Sequence, residues 1–429
     1  MVFVDVSDVV QKMDGLAINS LMKNILFISY DGMTDPLGQS QVIPYLIGLT
    51  RYDYQFTILS CEKPQRFNLY KNEIENLLNL YPIKWEPIQY HKKPPVFSSI
   101  YDVYQLKKRA KQLHLKESFD MVHTRPGVPA LIGLWMKKKL GVKFLNDIRE
   151  FYADSRVDGG MWNDKRFFYK KIYHFFKQKE NEAVKNSDGI VCLTHAAEKI
   201  IMEWPQYKKE IPLEVIPCSV DMNLFDPDKI EAEQKLNFKN ELKINDEDIV
   251  ISYLGSIGSW YLTDEMMQFF KMINDKIPNA RFLFISPNEH QTILYAARKS
   301  GLPENKLTIK NAKRNEVPTL LSFSKYSVFF IKPCFSKQSS SPTKHGEIMA
   351  MGIPVITNAG VGDVANIVTE SHSGLVLREL NEKEFQVAAD KVAEETIFDK
   401  SIIRNGAIKY YNLDRAIKKY AEIYQAILK

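Results

Sequence analysis

The chain is punctuated by short, continuously apolar runs that are too brief for helices and too uniformly greasy for half-exposed strands. Lys23-Asn24-Ile25-Leu26-Phe27-Ile28-Ser29 is the first. Such a run suits a strand covered on both faces, as in a parallel sheet. A loop with Gly32, Pro36 and Gly38 follows, and Ser40 is placed to cap a helix reaching about Thr50. Phe56-Thr57-Ile58-Leu59, Met121-Val122-His123, Lys143-Phe144-Leu145 and Gly189-Ile190-Val191-Cys192-Leu193 are further strands, with helical stretches between them. A second series begins after the turn-rich Ile216-Pro217-Cys218-Ser219-Val220-Asp221. It holds Ile249 to Leu254 closed by Gly255, Arg281 to Ile285, Ser327 to Ile331, and Pro354 to Thr357. Strand alternating with helix predicts parallel sheets. The class is therefore α/β, with two doubly wound Rossmann-like sheets and a boundary near residue 220. In such sheets ligands bind beyond the carboxyl ends of the strands, so the residues just after each strand carry the chemical interest.

Composition narrows the classes. Hydrophobic residues make up 45% and charged residues 26% of 429, an ordinary globular balance. The net charge of +6 suits anionic substrates or anionic lipid head groups. It is too small to argue for nucleic acid, and a solvated basic surface explains it equally well. Cys61, Cys192, Cys218 and Cys334 are scattered without a C-x-x-C pair. They form neither a disulfide framework nor a zinc site, which makes a reducing, cytoplasmic compartment the default. No apolar run approaches the roughly 18 residues of a membrane span. Residues 1–21 carry Asp5, Asp8 and Asp14 and lack a basic start. They are expected to be an extension or an added segment, with the folded chain starting at Met22.

The sharpest local signal runs from Ser339 to Ile356. Ser341 is a good N-cap, Pro342 fits the first helical position, and Gly352 followed by Pro354 fits the end. A helix of about ten residues is thus predicted just beyond the strand at Phe329–Ile331. Its N-terminus offers unpaired N–H groups and a positive dipole end, an anion site. Lys344 adds a charge in the first turn, and Glu347 lies one turn deeper on the same face. A cation for phosphate and a carboxylate for sugar hydroxyls is the layout a nucleoside diphosphate needs. A capped surface helix with an ordinary Lys–Glu pair has the same sequence. A first-turn lysine opposes the dipole unless an anion is present, which favours the anion site.

The segment Ser341-Pro342-Thr343-Lys344…Glu347-Ile348-Met349-Ala350…Gly352-Ile353-Pro354-Val355-Ile356 resembles the donor-binding helix of glycosyltransferase family 4, retaining enzymes of the GT-B fold. Other stretches agree in order. Met22 to Ser29 looks like the family's first strand, and Asp120-Met121-Val122-His123 its D-x-V-H stretch. Ser187 to Thr194 looks like its A-D-x-I-V-x-x-S strand, and Ile216 to Asp221 with Phe225 and Pro227 its I-P-N-G-V-D…F…P. The run Asp147-Ile148-Arg149-Glu150-Phe151-Tyr152-Ala153-Asp154-Ser155-Arg156-Val157-Asp158-Gly159-Gly160-Met161-Trp162 is similar to that of a bacterial subgroup linked to surface-polysaccharide assembly. Gly255-Ser256-Ile257-Gly258-Ser259-Trp260-Tyr261 and Pro36-Leu37-Gly38-Gln39-Ser40-Gln41 fit the same subgroup.

The resemblance implies two domains facing a central cleft. Residues 22–220 would take the acceptor, residues 221–411 the nucleotide-sugar donor, and a C-terminal helix over 412–429 would rejoin the first domain. Lys344 would stabilise the leaving diphosphate and Glu347 would bind the ribose. Ser341, Thr343, Gly255, Ser256, Gly38 and Gln39 would approach the donor. Asp147 falls where many members carry a cleft histidine; with Arg149 it either handles the acceptor or forms a salt bridge. Asp154, Arg156 and Asp158 are candidate acceptor contacts. No D-x-D ends a strand, so neither metal nor other cofactor is expected. His123 reads as a core histidine. Residues 165–177 mix bases and aromatics: a helix that buries its aromatics while lysines snorkel, or one lying on anionic lipid at the inner face of the cytoplasmic membrane.

Two departures stand out. The family's E-x7-E pair would begin at 339, where Ser339 stands. Many members follow the glycine equivalent to Gly255 with an arginine and then a lysine; here Ser256 and Trp260-Tyr261 stand instead. The diphosphate must then rely on Lys344 and the helix terminus, with Arg149 or Arg156 next in line. The expected activity is retaining transfer from a nucleoside-diphosphate sugar to a saccharide or lipid-linked acceptor. A nucleotide-sugar epimerase and a non-catalytic nucleotide-sugar binding protein are the alternatives.

Overall fold

A computed structural model of the chain describes residues 22–94, 96–163, 165–258, 260–287 and 290–429. The expected extension over 1–21, and Ser259 of the glycine–tryptophan stretch, lie outside the described residues. The strands are β1 (Lys23–Ser29), β2 (Tyr54–Glu62), β3 (Ile83–Gln89), β4 (Met121–Thr124), β5 (Lys143–Ile148), β6 (Gly189–Cys192) and β7 (Leu213–Val215), then β8 (Ile249–Leu254), β9 (Ala280–Ile285), β10 (Leu307–Lys310), β11 (Tyr326–Phe329), β12 (Val355–Asn358) and β13 (Gly374–Leu377). They form two sheets, ordered β3-β2-β1-β4-β5-β6-β7 and β10-β9-β8-β11-β12-β13. β1 runs parallel to β2 and β4, and β8 runs parallel to β9 and β11.

Both sheets wind outward from a central strand in one direction and then return to wind in the other. The switch points lie between β1 and β4 and between β8 and β11, where such sheets hold ligands. The apolar runs are what the topology requires. Ile25, Leu26 and Ile28 of β1 are fully buried, as are Phe282 and Phe284 of β9. Each such side chain contributes roughly 1.5–3 kcal/mol by leaving water.

The described residues divide into two compact units, one of 22–124 with 132–145 and 428–429, the other of 125–131 with 146–427.

The helices that bear on function are α1 (Pro36–Gln41), α2 (Ile43–Leu49), α3 (Phe97–Glu117), α4 (Tyr152–Asp158), α5 (Phe167–Asn186), α6 (His195–Glu203), α7 (Thr343–Ala350), α8 (Lys400–Tyr411) and α9 (Leu413–Leu428). Ser40 does not cap a helix. Pro36 sits at the first position of α1, and Ser40 lies inside it, its Oγ donating to the Pro36 carbonyl at 2.7 Å. Pro44 has no N–H to continue the ladder, so the chain breaks at Val42 and restarts as α2. The final helix, α9, is held by side-chain contacts. Tyr420 of α9 donates to Asp147 at 2.9 Å, and Lys419 pairs with Glu214. Among the described residues no helix is long and apolar enough to cross a membrane.

Candidate functional site

The site grows from the carboxyl ends of β8 and β11. β8 is followed by Gly255, which holds φ +112°, a conformation that favours glycine. A Cβ there would lie 2.9 Å from the Lys344 Nζ. The residue is therefore glycine for two reasons, the turn and the space for a lysine. Ser256 is exposed, and its carbonyl accepts the Tyr253 hydroxyl at 2.6 Å.

After β11 a short 3-10 turn, Phe335–Ser339, leads into α7. The helix begins one residue later than its sequence suggests: Pro342 occupies the cap position, and no side chain caps it. Ser341 is diverted, its Oγ accepting the Cys218 N–H at 3.2 Å, while half-buried Thr343 opens the helix. The C-terminal end follows expectation. Gly352 has φ +69°, its N–H reaches the Met349 carbonyl at 2.9 Å and that of Ile353 reaches Ile348 at 3.2 Å, a Schellman motif.

Lys344 is buried, only 6% exposed. Its Nζ donates to the Tyr253 hydroxyl at 3.0 Å and lies 4.2 Å and 3.8 Å from the centres of the Tyr253 and Tyr261 rings. The rings' negative faces stabilise the ammonium partially. Burial pushes its pKa down to about 7, and the charge of Glu347 pulls against that shift. Glu347, also buried, is engaged elsewhere, in an ion pair with Arg314. The Arg314 guanidinium lies 4.9 Å from the centre of the Phe225 ring. Lys344 itself forms no ion pair among the described residues. It is a desolvated cation held by π faces and one hydroxyl at the first turn of a helix.

Next to Lys344 in the sequence, His345 is fully buried, and burial alone takes it down to about 3. Its Nδ1 shares a hydrogen bond with the Tyr411 hydroxyl at 2.9 Å. It therefore stays neutral and ties α7 to α8.

Ser339, where the resemblance expects a carboxylate, is wholly buried and used by the fold. Its Oγ donates to the Ser336 carbonyl at 2.8 Å and accepts the Phe151 N–H at 3.1 Å. Phe151 and Phe335 stack alongside at 5.4 Å. The α4 stretch is held by the same turn. The Asp158 carboxylate accepts the Ser336 N–H at 3.0 Å, and its carbonyl accepts the Lys332 Nζ at 2.9 Å. Burial pushes Asp158 up, but the Ser336 and Cys334 donors outweigh it and leave the carboxyl below its usual range.

Asp154 and Arg156 are also engaged. Asp154 binds Lys177 at 2.8 Å and the Tyr173 hydroxyl at 2.9 Å, both from α5. Arg156 pairs with Glu150 at 3.2 Å and lies over the Tyr152 ring. Asp147 and Arg149 face each other at 3.4 Å, both nearly inaccessible, and both meet the Tyr420 hydroxyl. Arg149 also reaches the Cys218 sulfur at 3.3 Å.

In the first unit, a Cβ on Gly38 would collide with the Gly32 carbonyl, and the Gln39 amide donates to the Thr34 carbonyl at 3.1 Å. That loop hangs on buried Glu62, which accepts the Met33 N–H at 2.6 Å and the Thr34 N–H at 3.2 Å. His123 packs edge-on against Phe27 at 4.7 Å. Over 165–177 the two readings divide by residue. Phe176 packs against Tyr152 and Trp162, whereas Phe167, Phe168 and Phe175 are exposed.

Sequence reasoning did not single out Arg314, Tyr253, Glu62 or Asp363. Asp363 accepts the His195 and Ala196 N–H groups at the start of α6. Nothing local marks any of the four; each acquires its partner through the fold.

Residues 234–409 match the family model described as glycosyl transferases group 1. No curated protein matches the chain. Solved structures do, at low identity. Sucrose-phosphate synthase from Thermosynechococcus elongatus superposes with a TM-score of 0.70 at 14% identity, over 94% of this chain and 98% of its own. HepE of Anabaena, solved in complex with UDP-glucose, gives 0.69 at 12%, over 94% and 99%. WaaG, a glycosyltransferase involved in lipopolysaccharide biosynthesis, gives 0.67 at 13%, over 93% and 99%. The chain thus has the GT-B fold, carries a match to the glycosyl transferases group 1 model over 234–409, and has the activity of a glycosyltransferase.

Proposed function

We propose that the chain is a retaining glycosyltransferase of family 4 that moves a sugar from a nucleoside diphosphate to a saccharide or lipid-linked acceptor in surface-polysaccharide assembly. The observation that carries this reading is Lys344. A buried ammonium without a carboxylate partner is costly, and an incoming diphosphate would supply the missing anion. The position supports it: the first turn of α7, at the switch point of the second sheet, beside Gly255.

In this reading Lys344 steadies the charge that develops on the leaving diphosphate. Glu347, oriented by Arg314, takes the ribose hydroxyls. Ser341, Thr343, Gly255 and Ser256 line the donor, and Gly38 and Gln39 are further donor contacts. Asp147 and Arg149 serve the acceptor's reacting hydroxyl, and Asp154, Arg156 and Asp158 shape its surroundings. Neither metal nor other cofactor is needed, because a lysine and a helix terminus take the cation's role. The exposed Phe167, Phe168 and Phe175, interleaved with lysines, support peripheral contact of 165–177 with the inner face of the cytoplasmic membrane.

Ser339 favours one rival, a protein that binds the donor without transferring it. Incubation with nucleotide sugars, UDP-glucose first, and a panel of lipid-linked saccharides separates the readings. Release of nucleotide that requires acceptor, with the anomeric configuration kept in the product by NMR, is expected. Tight donor binding with neither transfer nor slow hydrolysis would establish the rival.

A further inference from the structure

The N-terminal half of α3 exposes a row of large apolar side chains that no described residue of its unit covers. Phe97, Ile100, Tyr101 and Tyr104 are 71%, 60%, 48% and 59% exposed. Their spacing of i, i+3, i+4 and i+7 puts them on one face of the helix. The opposite face explains why the helix is held so firmly: Ser98, Asp102, Leu106, Ala110 and Leu113 are its buried residues.

The chemistry around the row is one-sided. Lys108 and Lys111 continue the same face toward the C-terminus and are exposed, as are Lys92 and Lys93 just before the helix. Lys107 lies at its border, over the Trp135 ring. The carboxylates of the segment are already taken. Asp102 is buried and binds His91 and Tyr30, and Glu117 binds Lys84 and Thr57. The exposed face therefore combines aromatic and aliphatic tips with positive charge that has no ion-pair partner among the described residues.

We propose that this face of α3 docks on an anionic lipid surface. Phe97 and Ile100 would enter the boundary between head groups and acyl chains. Tyr101 and Tyr104 carry an apolar ring and a polar hydroxyl, which suits them to the head-group level. Lys92, Lys93, Lys108 and Lys111 would reach lipid phosphates, with their stems along the apolar row. A second copy of the chain fits poorly. A parallel pairing sets Lys108 and Lys111 against their own copies, and an antiparallel one buries them against Phe97 and Ile100 without counter-ions. The inference is independent of the transferase reading and of residues 165–177.

The test is sedimentation of the full chain with vesicles of phosphatidylcholine alone or mixed equally with phosphatidylglycerol. Two variants, F97S/I100S and K108E/K111E, run in parallel, with thermal unfolding as the control for folding. The expected result is binding to the mixed vesicles only, weakened by salt, with each variant losing about tenfold in partitioning at unchanged unfolding temperature. Should F97S/I100S fold poorly, K108E/K111E decides alone. Absence of binding by the wild type, or variants that bind as it does, would overturn the proposal. So would a dimer in solution that F97S/I100S dissociates in a chain that ignores vesicles.

Discussion

A buried lysine is the residue on which most of the chemistry turns. The folded chain holds the Lys344 proton only to about pH 7, against an ordinary 10.5. Between those values the unfolded chain binds more protons, so this group makes stability rise with pH across that window. Below about pH 7 the ammonium is charged in both states and the rise is absent. Replacing Lys344 with Met should flatten it, as read from urea unfolding at pH 6.5, 8 and 9.5. Donor binding runs the opposite way. The charged form pairs with diphosphate, so affinity should be greatest below about pH 7 and fall as pH rises through it. Titration calorimetry with UDP-glucose at pH 8, in buffers of different ionisation heat, should show proton uptake in the wild type and none in Lys344→Met.

The sequence marked Lys344 and Glu347 because both stand in one short helix with readable ends. It could not show that Tyr253 and Tyr261 cage the one while Arg314 holds the other. Those partners come from separate segments, Tyr253 from β8 and Tyr261 and Arg314 from outside the named strands, and no spacing rule connects positions 253, 314 and 347. Ser339 is the reverse case. Its departure from the family's carboxylate is plain in the sequence, but its bond to the Phe151 N–H belongs to the fold.

Among the elements, strands and helix ends were legible for different reasons. A strand covered on both faces leaves an apolar run with no alternation, and β1, β8 and β9 do so. The Gly352 stop was legible because its left-handed conformation favours glycine strongly. Gly352→Ala should cost at least about 1–2 kcal/mol in unfolding free energy, because a Cβ there also meets the Lys400 Cβ and carbonyl at 3.1 Å, and Gly352→Asn should recover only the conformational part. Helix starts were harder to read. Ser341 and Ser40 are both good caps in isolation, yet one is drawn to the Cys218 N–H and the other lies inside a helix that Pro36 has already begun. A hydroxyl has several partners to choose from, and tertiary contacts decide among them.

For the whole molecule, two doubly wound sheets were foreseeable from the rhythm of strand and helix, and the last helix from the family resemblance. What the rhythm omits is how the last helix is fastened. The Tyr420 hydroxyl donates to buried Asp147 and accepts from Arg149, while Ile417, Tyr420 and Tyr424 are buried. Tyr420→Phe should lower stability by about 1–3 kcal/mol, because a buried carboxylate loses a donor. If Asp147 also serves the acceptor, the same variant should change the acceptor KM and leave the donor KM alone.

The central claim is that Lys344 and Glu347 mark a nucleoside-diphosphate site. Thermal unfolding of the wild type, Lys344→Ala and Glu347→Ala against UDP, GDP, ADP and their sugars tests it most directly. A ligand at about 100 times its Kd should stabilise by roughly 2.7 kcal/mol. Loss of the charge-assisted bond in Lys344→Ala should weaken binding about 10- to 100-fold. One nucleotide that stabilises the wild type by roughly 2.7 kcal/mol, and Lys344→Ala by only about 0.4–1.4 kcal/mol with Glu347→Ala reduced likewise, is the predicted result. No stabilisation of the wild type by any of them at millimolar concentration would contradict the account.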